Sequence, residues 1–210
     1  MGHIALLGDS ILDNAAYVGG GPAVIDQLRA VLPAEWTADL LAVDGDVASS
    51  VLFQLEGLSE ATTHLVVSAG GNDALMRTAL LAMPVATVTD ALLVLAEAVD
   101  DFERDYREMV ASVTARGLPV MLCSVYFPRF QGDAFQRVAT MALAGFNDAI
   151  LRVAFEAGLP VIDLRLVCTE PAHYANEIEP SSAGGERIVA AIMHAVITHD
   201  FSSRRSAIYT

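Results

Sequence analysis

The sequence has little of what metal, redox or nucleic-acid chemistry requires. It holds two cysteines, Cys123 in an apolar run and Cys168 in a later stretch, with neither CxxC spacing nor a neighbouring histidine at metal-ligand spacing in sequence. Both read as reduced thiols, and neither a metal nor a cofactor is expected. Basic residues are scarce: 12 Lys and Arg stand against 26 Asp and Glu, and the resulting formal charge of −14 repels polyphosphate backbones. No basic run precedes Arg204-Arg205, so nucleic acid is not expected as a partner. Gly19-Gly20-Gly21 lacks the Lys-Ser or Lys-Thr of a phosphate-binding loop and does not directly follow a strand, which leaves a flexible turn. Long apolar runs are missing too. Although 54% of the residues are apolar and the mean hydropathy is +0.47, charges or prolines interrupt them, as Pro84 and Asp90 do between Leu80 and Glu97. No membrane span or membrane partner is expected. Nor does a basic, signal-like stretch precede the first strand, and a cytoplasmic location is the expectation.

What is present is an alternation. The 210 residues suit one domain over 1–210, large enough to bury a substantial core. Strand-like runs fall at His3–Gly8, Ala38–Val43, Leu65–Gly70, Pro119–Val125 and Leu159–Leu164. Between them lie helical stretches at Pro22–Leu32, Asp90–Arg116, Asp133–Ala157 and Ser181–His199. This order predicts an α/β fold: a three-layer α/β/α sandwich around a five-stranded parallel sheet.

In such a sheet the chemistry collects beyond the carboxyl ends of the strands. After the first strand comes Gly8-Asp9-Ser10, where a glycine allows the sharp turn that lifts a serine hydroxyl clear of the sheet edge. After the second comes Asp44-Gly45-Asp46, after the third Gly70-Gly71-Asn72-Asp73, and before the last helix Asn176-Glu177-Ile178-Glu179-Pro180. In order and spacing, from Gly8 to Gly185, these segments resemble the SGNH or GDSL hydrolases, a family of esterases, lipases and related acyl hydrolases. The resemblance implies Ser10 as nucleophile and an oxyanion hole formed by Ser10, Gly45 and Asn72. Such donors suit acyl transfer, because they meet the developing negative charge without titrating themselves.

The last motif departs from the family. Where the family has Asp-x-x-His, this chain has Asn176 and Glu179. A solvated glutamate has a pKa of about 4.3, some two units below histidine, a deficit of roughly 3 kcal/mol in proton affinity. Burial in an apolar cleft would recover much of it, and Asn176 is expected to donate an amide hydrogen bond that holds the carboxylate. His173, six residues before Glu179 in sequence, is the alternative base. Tyr126-Phe127-Pro128-Arg129-Phe130 follows the fourth strand at the same edge and is placed to line an acyl or leaving-group pocket, with Arg129 facing either an anionic group or solvent. The sequence thus predicts a serine hydrolase of small carboxylic esters using Ser10, Glu179 and Asn176. The competing reading is a catalytically impaired protein that binds an ester or carbohydrate in the same pocket. Oligomeric state is left open.

Overall fold

The first strand is an interior strand of the sheet, paired on both sides, and every residue from Gly2 to Gly8 is buried, with side chains alternating between two apolar layers. In the computed structural model, which describes residues 2–210, strands β1 (Gly2–Gly8), β2 (Trp36–Leu40), β3 (His64–Ser68), β4 (Val120–Cys123), β5 (Val161–Ile162) and β6 (Ile208–Tyr209) form one parallel sheet of order β2-β1-β3-β4-β5-β6. Six strands replace the expected five. The extra one comes from the tail, where Val161 N–H donates to the Ala207 carbonyl and Asp163 N–H to that of Tyr209, covering the open side of β5.

Helices α1 (Val24–Val31), α2 (Val51–Gln54), α3 (Gly71–Leu75), α4 (Val88–Thr114), α5 (Asp133–Ala157), α6 (Leu164–Val167) and α7 (Ser182–Thr198) complete the fold. On one face, Ile4, Leu6, Val66 and Met121 pack against α1 and α7 through Val24, Leu28, Ile188 and Ile192. On the other, Leu7, Leu65, Val67 and Leu122 meet α4 and α5 through Phe102, Tyr106, Phe146 and Ile150. Each fully buried leucine, isoleucine or phenylalanine contributes about 1.5–3 kcal/mol. The three expected layers follow from that two-residue alternation.

Boundaries moved where side chains cap the backbone. Helix α4 begins at Val88 because Thr87 Oγ1 accepts from Asp90 N–H at 3.1 Å while Asp90 Oδ2 accepts from Thr87 N–H at 2.9 Å, so Asp90 is the third helical residue and not the first. Helix α5 spans Asp133–Ala157 as read from the sequence and ends at Gly158. By length and hydropathy alone α5 could cross a bilayer, yet Leu143, Phe146, Ile150 and Val153 are buried in the α4/α5 layer. Strand β2 ends at Leu40, three residues early, although Leu41, Ala42 and Val43 still donate to the carbonyls of Leu6 and Gly8. These bonds lead the second loop back toward the end of β1.

Candidate active site

The turn after β1 is fixed by backbone sterics. Gly8 has φ +121°, a conformation that side chains rarely adopt, and a Cβ there would collide with the Ser68 carbonyl of β3. Asp9 N–H donates to that carbonyl at 3.0 Å, and Leu12 and Asp13 N–H both donate to the Asp9 carbonyl at 3.1 Å. Gln54, buried on α2, clamps the same turn: Oε1 accepts from Gly8 N–H at 2.7 Å and Nε2 donates to the Gly8 carbonyl at 2.8 Å and to Asp46 Oδ2 at 2.7 Å. The result is a rigid shoulder carrying Ser10, itself nearly buried.

Glu179 arrives from the opposite end of the chain. Ser10 Oγ donates to Glu179 Oε1 at 3.1 Å, the carboxylate residue is only 5% exposed, and Oε2 has no partner among the described residues. Burial pushes the Glu179 carboxyl up to about 7, the Ser10 hydrogen bond pulls the other way, and nearby Asp44 adds to the rise. Two anchors hold its loop: Asn14 Nδ2 donates to the Pro180 carbonyl at 3.2 Å, and Tyr126 Oη donates to the Ile178 carbonyl at 2.6 Å.

Two expectations need correction. Asn176 does not donate to the Glu179 carboxylate; its Oδ1 accepts from the backbone N–H groups of Ile178 at 2.8 Å and Glu179 at 2.9 Å. A short amide side chain bonds the backbone two and three residues on more readily than a side chain that has turned inward. Asn176 therefore positions the turn. His173 is also not at the serine: its Nδ1 accepts from Glu170 N–H at 3.2 Å, capping its own short 3₁₀ turn, and it does not line the cavity at Ser10.

The three expected oxyanion donors remain accessible to different degrees. Gly45 is exposed, has φ +87° and sits third in a four-residue turn closed by Asp46 N–H donating to the Val43 carbonyl at 3.1 Å. Among the described residues no protein acceptor takes the N–H of Ser10 or of Gly45. Asn72 lines the cavity beside Ser10, and its Nδ2 donates one hydrogen to the Asp46 carbonyl at 2.8 Å, leaving the second. Asp73 ties the same loops together, accepting from Ala48 N–H at 3.0 Å.

Ser10 and Glu179 open onto a narrow cavity of about 100 Å³. Of the segment after β4, Tyr126, Pro128 and Phe130 line it, while Phe127 packs on the α4/α5 layer. Arg129 turns away, donating to the Thr169 carbonyl and lying 4.9 Å over the Tyr174 ring. Sequence reading missed the polar clips beneath these loops. Gln54 and Asn14 are two; Asn147 is a third, accepting from Val125 N–H and donating to its carbonyl, both at 2.8 Å. For Gln54 and Asn147 a lone amide inside an apolar helical run was the available signal, whereas Asn14 lies in the loop between β1 and α1 and carried none. Asp9 was missed as well: it is buried against Glu179 and Asp73, and burial above all pushes its carboxyl up to about 8. Among the described residues no His, Cys, Asp or Glu cluster has metal-ligand geometry, and both cysteines are free and buried.

Residues 6–187 match the GDSL-like Lipase/Acylhydrolase family. Among solved structures, a lipase from a goat rumen metagenome superposes with a TM-score of 0.72 at 19% identity, over 93% of this chain and 97% of that one. A phospholipase A1 from Streptomyces albidoflavus gives 0.67 at 18%, over 90% and 98%. A catalytic mutant of an acetylxylan esterase from Geobacillus stearothermophilus gives 0.62 at 17%, over 96% and 97%. No curated protein matches the chain significantly.

Proposed function

Because the chain belongs to the GDSL-like Lipase/Acylhydrolase family, whose members hydrolyse ester bonds, we propose that it cleaves carboxylic esters with Ser10 as nucleophile and Glu179 as general base. The observation that carries this reading is the buried 3.1 Å hydrogen bond from Ser10 Oγ to a carboxylate whose proton affinity burial has raised to near that of histidine.

The Ser10 proton passes to Glu179 as Oγ bonds to the carbonyl carbon. The carbonyl oxygen takes up the negative charge against Asn72 Nδ2 and the N–H groups of Ser10 and Gly45. Collapse breaks the carbon–oxygen bond to the leaving alcohol, which takes the proton from Glu179. Water then enters, gives a proton to Glu179 and attacks the acyl-serine; collapse releases the acid and returns the proton to Ser10. Asn176 acts through Glu179 by fixing its backbone.

Initial rates on p-nitrophenyl butyrate test this. Ser10→Ala and Glu179→Gln should each lower kcat/KM by on the order of 10²–10⁴. If both variants keep the native rate, hydrolysis occurs elsewhere; if the native protein binds esters without turning them over, the ligand-binding reading takes its place.

A further inference from the structure

The apolar stripe of α4 outruns the core it serves. From Phe102 and Ala98, both buried, it runs on toward the helix start through Leu95, Ala91 and Val88 at steps of three and four, and Val88 is 77% exposed. Leu92, beside the stripe, is 62% exposed. The facing row on α5 does the same: Phe146 and Ala139 are buried, while Phe135, Val138 and Met141 lie exposed, Met141 at 74%. Leu92, Val138 and Met141 meet Met83 and Val85, from the connection into α4, around a hollow of about 610 Å³. Val88 and Phe135 extend its rim by one turn along each helix. Together these seven side chains leave roughly 700 Å² of apolar surface open, above the largest patch of a typical monomer, about 300–600 Å².

We infer that this face is the interface of a homodimer, in which the N-terminal halves of α4 and α5 of one copy pack on those of a second. The area fits, since a standard-size interface takes about 800 Å² from each partner. The charge fits as well. Residues 76–95 and 133–142 carry Arg77 and Arg137 against Asp90 and Asp133, a balance of zero in a chain of −14, so this face lacks the acidic surplus that drives copies apart. Arg137 is the one charged side chain lining the hollow, and among the described residues it joins no ion pair. A two-fold contact is self-complementary, so each Arg137 can meet an aspartate of the other copy. A lipid surface offers the arginine no such fixed carboxylate and desolvates both aspartates without a partner. The catalytic cavity lies behind the face, across a wall of Leu80, Leu81, Leu95 and Ala142, and the contact backs the site without entering it. The interface therefore stands independently of Ser10 as nucleophile.

Sedimentation equilibrium of the full chain gives the readout. The 22.2 kDa protein should sediment at twice that mass at concentrations well above about 1 μM. Leu92→Glu and Met141→Glu, each at an exposed position and each with a near-native thermal melt, should weaken the dimer about a hundredfold. Ile197→Glu is the control: Ile197 is as exposed but lies on α7, in the opposite layer, and its variant should dimerise like the native chain. Arg137→Glu should weaken association about tenfold, with a smaller loss in about 1 M salt, where like charges are screened. A native chain that stays monomeric throughout overturns the interface. So does a dimer that survives both Leu92→Glu and Met141→Glu, or one that Ile197→Glu breaks equally. A monomer that floats with phosphatidylcholine vesicles, and stops doing so in Leu92→Glu, also overturns it and gives the face to a lipid surface.

Discussion

Ser10 and Glu179 lie 169 positions apart in the chain and 3.1 Å apart in space. No local turn makes that contact. It depends on β1 delivering the serine at the sheet edge and on the approach to α7 delivering the glutamate, with Asn14 joining the two by accepting from Val24 N–H at 2.9 Å and donating to the Pro180 carbonyl. The pair sits where water is largely excluded, and the carboxyl rises to about 7 as a result.

That rise fixes the pH dependence. As the proposed base Glu179 works as the carboxylate, so kcat/KM for ester hydrolysis should level off above about 7 and fall about tenfold per pH unit below it. An ordinary, solvated glutamate would put the limb near 4.3. Rates on a chromogenic ester from about pH 5 to about pH 9 locate the limb, which should vanish in Glu179→Gln. A limb unchanged in that variant assigns the titration to another group.

Asn176 should act on the rate through geometry alone. Asn176→Ala removes both bonds to the N–H groups of Ile178 and Glu179 and should cost about 1 kcal/mol of stability and roughly tenfold in kcat, with KM nearly unchanged. Asn176→Asp keeps an acceptor in the same place and should recover most of the rate. Should the aspartate variant be as slow as alanine, the amide itself is required.

Asn72 is predicted to matter in the transition state. Asn72→Ala should lower kcat by on the order of 10²–10³ with little change in KM. Because the same side chain bonds the Asp46 carbonyl, a modest drop in Tm should accompany it. Steady-state kinetics beside a thermal melt separates the two effects, and an unchanged kcat removes Asn72 from the oxyanion hole.

Asp9 predicts a stability effect with a definite sign. Its folded pKa of about 8 exceeds the unfolded value of about 3.9, so from about pH 4 to about pH 8 the native state holds a proton that the unfolded chain has lost. Stability therefore falls as pH rises through that window. Asp9→Asn keeps an oxygen for Ile11 N–H, bound at 3.1 Å, and does not titrate. It should raise Tm near pH 8, by roughly 2–4 °C per kcal/mol gained, and change it little near pH 4. Melts at the two pH values decide; a gain only at the acidic end contradicts the buried, protonated Asp9.

Much of the fold was readable because two periodicities dominate it. The alternation along Gly2–Gly8 and the long helical stretch Asp133–Ala157 leave few other arrangements. The sixth strand was not readable, since Ile208-Tyr209 is too short to show a period and pairs only because β5 offers an open side. At the site, Ser10, Asn72 and Glu179 stand in motifs, and the structure brings Ser10, Asn72 and Glu179 to one cavity. The direction in which Asn176 bonds could not be read, because a sequence names backbone N–H groups and a carboxylate three residues on as partners alike and does not show that the Glu179 side chain turns inward. Nor could Gln54, whose role at Gly8 exists only once α2 folds over β1.

The oxygen bonds of Asn176 also explain what the site does without. A histidine base becomes a cation while it works and needs an anion behind it. A glutamate starts as the anion and ends neutral. In the proposed cycle one negative charge leaves Glu179 as the substrate oxygen acquires one, so the pocket's total stays constant and the charge only changes address. A second carboxylate would have no cation to steady, and an uncharged amide pinning the turn is the chemically matched companion.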